Sequence, residues 1–438
     1  MTETTPAGGA ALVPTGRELK SYACIRSLGR RGIDTVVASE RPQLPHAASR
    51  YCTEPVRLAS PPTDVPGYRD ALLDVAARPE VRTAFPVREC DVYVFAKYRD
   101  AFEEHCSLVV PDLATLSRAH DRLQLAREAA AAGVPYAETR RLSAVETWDE
   151  AAVVKSRYNL LTGDYVDGHP ADEMGEVKAV RTLAPGDEPD PEALRATMGH
   201  DPIVQAFVPQ AEKILYTALW DDGEPLATYQ HRQLRQNSWV GGGGVYRESA
   251  RVRAVDEVAS DLLSHLDWTG VACIEYVRDA ETGEWKFLEI NPRLWQSLPE
   301  AVRAGVDFPH HYWRRALGDP GPFDDDYETG VKCHIAYGEV AHLLSILRDD
   351  SPLLERPSVA RTLWAIAASC VAHPRFDYLR ADDPGLFLGG VRATLSTGVT
   401  RSRDFTIGGR GDAPDLEAAD GGSSPRSSPS TDGGAPEQ

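Results

Sequence analysis

The residues best spaced for chemistry lie between Gly270 and Pro309. A strand at 271–277 carries Glu275, and a second strand at 285–291 carries Glu289 and Asn291. Between them Asp279-Ala280-Glu281-Thr282-Gly283 has the composition of a turn. Side chains alternate along a strand, so Glu289 and Asn291 point the same way. A register centred near Thr282 sets Glu275 opposite Glu289. Two facing carboxylates repel, and a divalent cation between them relieves the repulsion. Oxygen ligands from Glu, Glu and Asn suit Mg²⁺, which usually reaches proteins with nucleotide phosphates attached. The competing reading is an edge hairpin with a solvated acidic face.

Three more groups carry charge where chemistry could use it. Arg293 follows Asn291-Pro292, placed either to stabilise a transferred phosphoryl group or acyl-phosphate oxyanion, or to form a structural ion pair. Lys155 ends the apolar strand 151–155, before a polar, Gly-containing stretch at 156–168 that reads as a mobile loop. An ammonium there can hold phosphates as a point charge, or simply remain solvated. Arg232, Arg235 and Arg247 surround the glycine run 241–244, which reads as a loop. Amides of a Gly-rich loop approach anions closely, so this cluster suits a carboxylate substrate; a hairpin turn with surface arginines is the other reading. His231 reads as a packed histidine.

The run Glu289-Ile290-Asn291-Pro292-Arg293, with Glu275 on the neighbouring strand, resembles the magnesium-binding end of the ATP-grasp ligases. The continuation through Ala304-Gly305-Val306-Asp307-Phe308-Pro309 resembles the branch related to carbamoyl-phosphate synthetase and biotin carboxylase. The resemblance covers residues 10–320. It implies ATP and Mg²⁺ as cofactors, with Mn²⁺ able to stand in, and Glu275, Glu289 and Asn291 as metal ligands. It makes Lys155 the strand lysine on the α- and β-phosphates and 156–168 the loop over ATP. Gln205-Ala206-Phe207-Val208-Pro209 then matches the linker whose backbone meets the adenine edge, with Gln205, Phe207 and Val208 about the ring and Glu212 reaching the ribose. Asp121-Arg122 stands where the family has Asp-Lys; Arg122 keeps the charge but presents a planar fork. The implied catalytic arginines are Arg293, Arg232 and Arg235. The implied activity joins a small-molecule carboxylate to an amine through an acyl phosphate. A bicarbonate-activating carboxylase, a carbamoyl-phosphate-forming subunit and a non-catalytic ATP-binding module are the alternatives. A homodimer is the default for such ligases.

The elements that must position these residues follow from periodicity. The apolar run 10–14, a helical stripe within 16–32 and the strand 33–39 make a parallel βαβ unit. A helix over 68–77 follows, and 92–95 is a strand or a helix start. Residues 119–133 read as one Ala-rich helix. An apolar segment spans 203–209, strands are expected at 215–220, 227–233 and 331–336, and helices at 252–266, 340–347 and 359–371. The fold class is α/β with an α+β grasp. An open parallel N-terminal domain (1–118) precedes a two-lobed ATP-grasp domain (119–318), a small α+β segment (319–400) and a disordered tail (401–438). The N-terminal domain lacks a full dinucleotide fingerprint.

The 438 residues, 42% hydrophobic, suffice for two or three packed domains. Apolar runs fall short of the roughly 18–20 residues that span a membrane, and no secretory signal opens the chain. The seven cysteines lack metal-ligand spacing and suit a reduced, cytoplasmic protein. A net charge of −19 argues against a nucleic-acid surface. Of 47 basic residues seven are Lys; with so many carboxylates this suits a salt-adapted, high-GC source, or ordinary acidity from the tail.

Overall fold

A computed structural model of the chain describes residues 8–16, 18, 20–41, 44–177 and 179–389. The expected tail at 401–438 lies outside the described residues. Strand β1 (Ala10–Pro14) is buried along its whole length, the pattern of a strand covered on both faces. It pairs in parallel with β2 (Asp34–Ser39) and with β4 (Val81–Ala84), and β3 (Glu54–Arg57) adds beyond β2. Helix α1 (Ser21–Gly29) joins β1 to β2, and α2 (Val65–Ala76) joins β3 to β4. Residues 92–95 fall inside α3 (Glu89–Lys97), where Asp91 accepts the Arg88 amide at 2.8 Å and fixes the first turn. A short α4 (Arg99–Glu103) follows.

The stretch 119–133 is not one helix. It is the end of α5 (Leu113–His120) and all of α6 (Arg122–Ala131), divided at Asp121. Asp121 takes an extended backbone, and its carboxylate accepts the amides of Leu123 and Gln124. That is N-cap chemistry, and it starts a new helix whose first residue is Arg122.

Two antiparallel sheets come next. The smaller contains β5 (Thr139–Arg141), β6 (Ala152–Lys155), β7 (Val180–Leu183) and β8 (Ile203–Ala206) in the order β5-β8-β6-β7. Leu194 and Met198 of α7 (Pro191–Met198) pack on its Val154 and Val204. The larger runs β13-β12-β9-β10-β11-β14. Its strands are β9 (Gln210–Asp221), β10 (Glu224–Ser238), β11 (Gly241–Ala250), β12 (Gly270–Asp279), β13 (Trp285–Asn291) and β14 (Lys332–His334). The glycine run 241–244 is the start of β11 rather than a loop, because it pairs back on β10 through bulges at Ser238–Gly241 and Gln236–Gly244. Gly242 has φ +108°, and a Cβ there would lie 2.1 Å from Asn237 Oδ1; only glycine suits the position.

Each face of the large sheet has its own cover. Helix α8 (Arg253–His265) buries Val255, Ala259, Leu262 and Leu263, a stripe at helical spacing, against Tyr216, Ala218, Ile274 and Tyr276. On the other face Leu215, Leu219, Tyr229 and Val271 share one core with α1, α9 (Leu298–Ala304) and α10 (Phe308–Ala316). The parallel sheet's first helix is thereby packed directly onto the large sheet. Helices α11 (Ala336–Arg348) and α12 (Val359–Ala372) lie beyond β14, and α12 leaves Leu363, Trp364 and Val371 exposed. Residues 374–389 return to α1, where Tyr22 donates to Asp383 at 2.8 Å and Arg26 to Asp382 at 2.6 Å. Among the described residues no helix is long and apolar enough to cross a membrane.

The chain's return is locked by a fully buried ion group. Arg247 of β11 lies 2.9 Å from Glu300 of α9 and donates to Asp377. Burial pushes the Glu300 pKa up to about 8 against the pull of Arg247, so Asp377 is the main counter-charge. Removing the cation strands Asp377 in a dry interior. Arg247→Met should therefore lower unfolding free energy by about 3–5 kcal/mol, read as a shifted urea midpoint; a shift under about 1 kcal/mol would show that water reaches the group.

Candidate active site

Strands β12 and β13 pair so that Glu275 faces Glu289 and Cys273 faces Asn291. Each carboxylate is met by a cation. Lys213 Nζ of β9 lies 2.6 Å from Glu275 Oε2. Arg122 Nε donates to Glu289 Oε2 at 3.1 Å, and Asn291 Nδ2 donates to the other Glu289 oxygen at 3.3 Å. Lys155, at the end of β6, feels the attraction of both glutamates. Arg122 also donates from Nη1 to the Ser156 carbonyl at 2.9 Å, so this one side chain ties the small sheet to the large.

The electrostatics are strong because the groups are removed from water. Burial pushes the Glu289 pKa up, but Arg122, Lys155 and Lys213 outweigh it and hold the carboxyl at about 2. Burial lowers Lys155 to about 8 despite Glu289, with Arg122 adding like-charge repulsion. Three cations thus surround two carboxylates, an excess of one positive charge before any ligand arrives.

That charge balance bears on metal. Among the described residues no group of three or more His, Cys, Asp or Glu side chains could hold an ion. The protein oxygens here are two carboxylates and the Asn291 amide, fewer than a dedicated cage provides. Mg²⁺ suits such a sparse set when phosphate oxygens complete its shell, and the surplus cations are what a polyphosphate needs. The residues fit Mg²⁺ carried on a nucleotide.

Arg293 sits at the other end of the site. Its Nη2 donates to Asn291 Oδ1 at 3.0 Å, its Nη1 donates to the Leu294 carbonyl at 3.0 Å, and its Nε lies 3.0 Å from Glu89 Oε1. Glu89 opens α3, and its second oxygen lies 3.1 Å from His120 Nε2. Burial raises the Glu89 pKa, but Arg293 and His120, helped by Lys20, hold it at about 2. The elements around the parallel sheet therefore contribute Glu89 to this site, with Lys20 acting on it through space.

Gln205 lies within β8, and Phe207 and Val208 follow it in the linker between the sheets. Gln205 is buried and donates to Thr139 Oγ1 at 3.1 Å; the Phe207 amide donates to the Ala151 carbonyl at 3.1 Å. Phe207 and Val208 are half-buried between β8 and β9. The segment 156–168, expected as a mobile loop, is anchored: Asp164 lies 2.8 Å from Lys97, and Tyr165 packs against Tyr93 and His120.

The second basic cluster does not form. Lys213 faces Glu275, so alternation along β9 sends Glu212 to the opposite face. There Glu212 accepts from Arg232, which stands across from Ile214 on β10. Glu212 and Arg232 thus pair on the face opposite Glu275 and Glu289. Arg235 is committed to Glu339 of α11 at 2.7 Å and lies over the Tyr246 ring, and Arg247 is interior. His231 is fully buried, as a packed histidine is.

Lys213, Glu89, His120 and Lys20 escaped the sequence reading. A signal existed for Lys213: it is one of seven lysines in the chain and sits one residue past Glu212. Glu89 belongs to another sheet's helix, and no local spacing points to it.

No protein-family model matches the chain, and no curated protein matches it in sequence. Solved structures do match in fold. N5-carboxyaminoimidazole ribonucleotide synthetase from Thermotoga maritima is 17% identical over 74% of this chain and 79% of its own, with a TM-score of 0.52. The biotin carboxylase domain dimer of Hydrogenobacter thermophilus 2-oxoglutarate carboxylase, in complex with MgADP, ADP and bicarbonate, is 15% identical over 74% and 73%, TM-score 0.55. L-amino acid ligase from Bacillus licheniformis is 13% identical over 74% and 78%, TM-score 0.54. All three are ATP-grasp proteins, and this chain has the ATP-grasp fold.

The lowered Lys155 pKa makes a pH prediction. The ammonium is the form that attracts phosphate, so a phosphate-bearing probe such as ADP is expected to bind more weakly as pH rises through about 8. Bound phosphate favours the ammonium and spreads the fall upward. Calorimetry on wild type and Lys155→Arg between about pH 7 and pH 9.5 checks it, since arginine stays charged throughout. A flat wild-type profile would contradict the assignment.

Proposed function

We propose that the chain is an ADP-forming ligase that activates a carboxylate with Mg-ATP and passes it to an amine. The observation that carries this reading is the facing pair Glu275 and Glu289, ringed by Arg122, Lys155 and Lys213. Mg²⁺, or Mn²⁺ in its place, held by Glu275, Glu289 and Asn291 would neutralise the β- and γ-phosphates as charge migrates. Arg122, Lys155 and Lys213 bind the polyphosphate, and Gln205, Phe207 and Val208 border the adenine. The presence of MgADP in the biotin carboxylase domain supports a nucleotide in this cleft.

The reaction has two steps. A substrate carboxylate oxygen attacks the γ-phosphorus, the bond to the bridging oxygen breaks, and ADP leaves. The amine then attacks the acyl carbon, inorganic phosphate leaves, and the amine proton goes to solvent. Arg293, oriented by Glu89 and Asn291, stabilises the transferred phosphoryl and the acyl-phosphate oxygen. No covalent enzyme intermediate is required; positioning and charge neutralisation suffice. The domain boundaries at about 118 and 318, the homodimer and a cytoplasmic setting, which seven free cysteines support, belong to the same proposal.

ADP release across a panel of carboxylates, amines and bicarbonate tests it. Wild type should sustain ADP formation over many turnovers only with a matched pair, and Glu289→Gln should slow this at least about a hundredfold while ADP binding persists. ADP formation with bicarbonate alone would redirect the reading to a carboxylase. Nucleotide binding with no substrate-dependent turnover would leave a binding module. Light scattering checks the dimer, and a monomeric mass overturns it.

A further inference from the structure

A second charged site lies on the far side of α1, away from the facing carboxylates. A cavity of about 560 Å³ opens between α1, α9 and the returning segment 377–380. It adjoins another of about 770 Å³, and the two share Arg303 and Arg380. A cavity of this size is within the range of small-molecule sites. Its lining is unusual for a chain of net charge −19: Arg26, Arg30, Arg31, Arg303 and Arg380 against two carboxylates, Asp307 and Asp377.

Those carboxylates are already taken. Arg31 lies 2.9 Å from Asp307, and Asp377 is held by Arg247 from the interior side. Asp382, at the rim, accepts from Arg26. Among the described residues Arg30, Arg303 and Arg380 form no direct ion pair, Asp377 attracting Arg380 and Glu300 attracting Arg303 only through space; Arg303 donates to Cys333 Sγ and the Phe376 carbonyl. Arg380 Nε and Arg26 Nη1 are buried with no hydrogen-bond partner at all. Burial and then the repulsion of Arg303 and Arg26 pull the Arg380 pKa below its ordinary value. Buried guanidinium donors are costly unless an acceptor meets them.

We propose that this arginine-lined cavity binds a small organic polyanion, a molecule carrying two or more phosphate or carboxylate groups. Guanidinium forks match both oxyanions in bidentate geometry, and three arginines without a direct ion pair call for more than one group. Such a ligand fastens the returning segment 374–384 to α1. The site stands apart from the nucleotide cleft and does not depend on the ligase reading.

Pyrophosphate and citrate are the probes, titrated calorimetrically into the full chain with saturating ADP present. Saturable binding of either is expected, and the preferred probe distinguishes phosphate from carboxylate chemistry. Arg303→Gln with Arg380→Gln should weaken it about tenfold or more, the usual worth of a charge-assisted hydrogen bond. Arg30→Gln, on the exposed side of α1, should weaken it several-fold without touching the fold, so the assignment stays testable if the double variant is unstable. Lys155→Met should bind the probe as wild type does. Absence of saturable binding, indifference to all three arginine changes, or loss in Lys155→Met would overturn the proposal.

Discussion

Two carboxylates on neighbouring antiparallel strands repel each other, and the cleft of this protein is organised around that repulsion. Glu275 and Glu289 are drawn together by sheet pairing, which fixes backbone register irrespective of side-chain charge. Lys213, Arg122 and Lys155 then come from three different elements to balance them. The balance overshoots by one positive charge. A site with excess cation and two opposed carboxylates is fitted to a ligand that is itself a metal polyanion, because each half of the ligand relieves one half of the protein's imbalance.

Arg122 shows how a departure from a familiar pattern can be structural as well as chemical. A lysine reaches with one point charge, whereas the guanidinium fork bonds Glu289 and the Ser156 carbonyl at once. The small and large sheets are thereby linked through the site itself. The same logic joins the parallel domain to the grasp: Glu89 orients Arg293 from outside the hairpin that carries it, and α1 shares a core with β9 and β12. The parallel sheet and the large sheet therefore share one core.

Much of this was legible locally. Strand β1, the βα unit after it and the Glu275–Glu289 register follow from alternation and turn composition, which act over a few residues. The stretch 119–133 misled because helix propensity says little about a single capping aspartate. The glycine run misled for a related reason: glycine is typical of loops, but at Gly242 it permits a strand to bulge against Asn237. Lys213 adjoins Glu212 in the chain, and in a strand one residue is the difference between two faces.

The amino-acid sequence by itself determined the chemistry-bearing hairpin and the first βαβ unit, since each rests on short-range periodicity. Tertiary structure alone decided which charges meet. It brought Lys213 to the carboxylates, sent Arg232 to Glu212 and Arg235 to Glu339, buried Arg247 and delivered Glu89 from a separate sheet. Coulombic partnership depends on distance through space, and distance through space is set by packing between elements far apart in the chain.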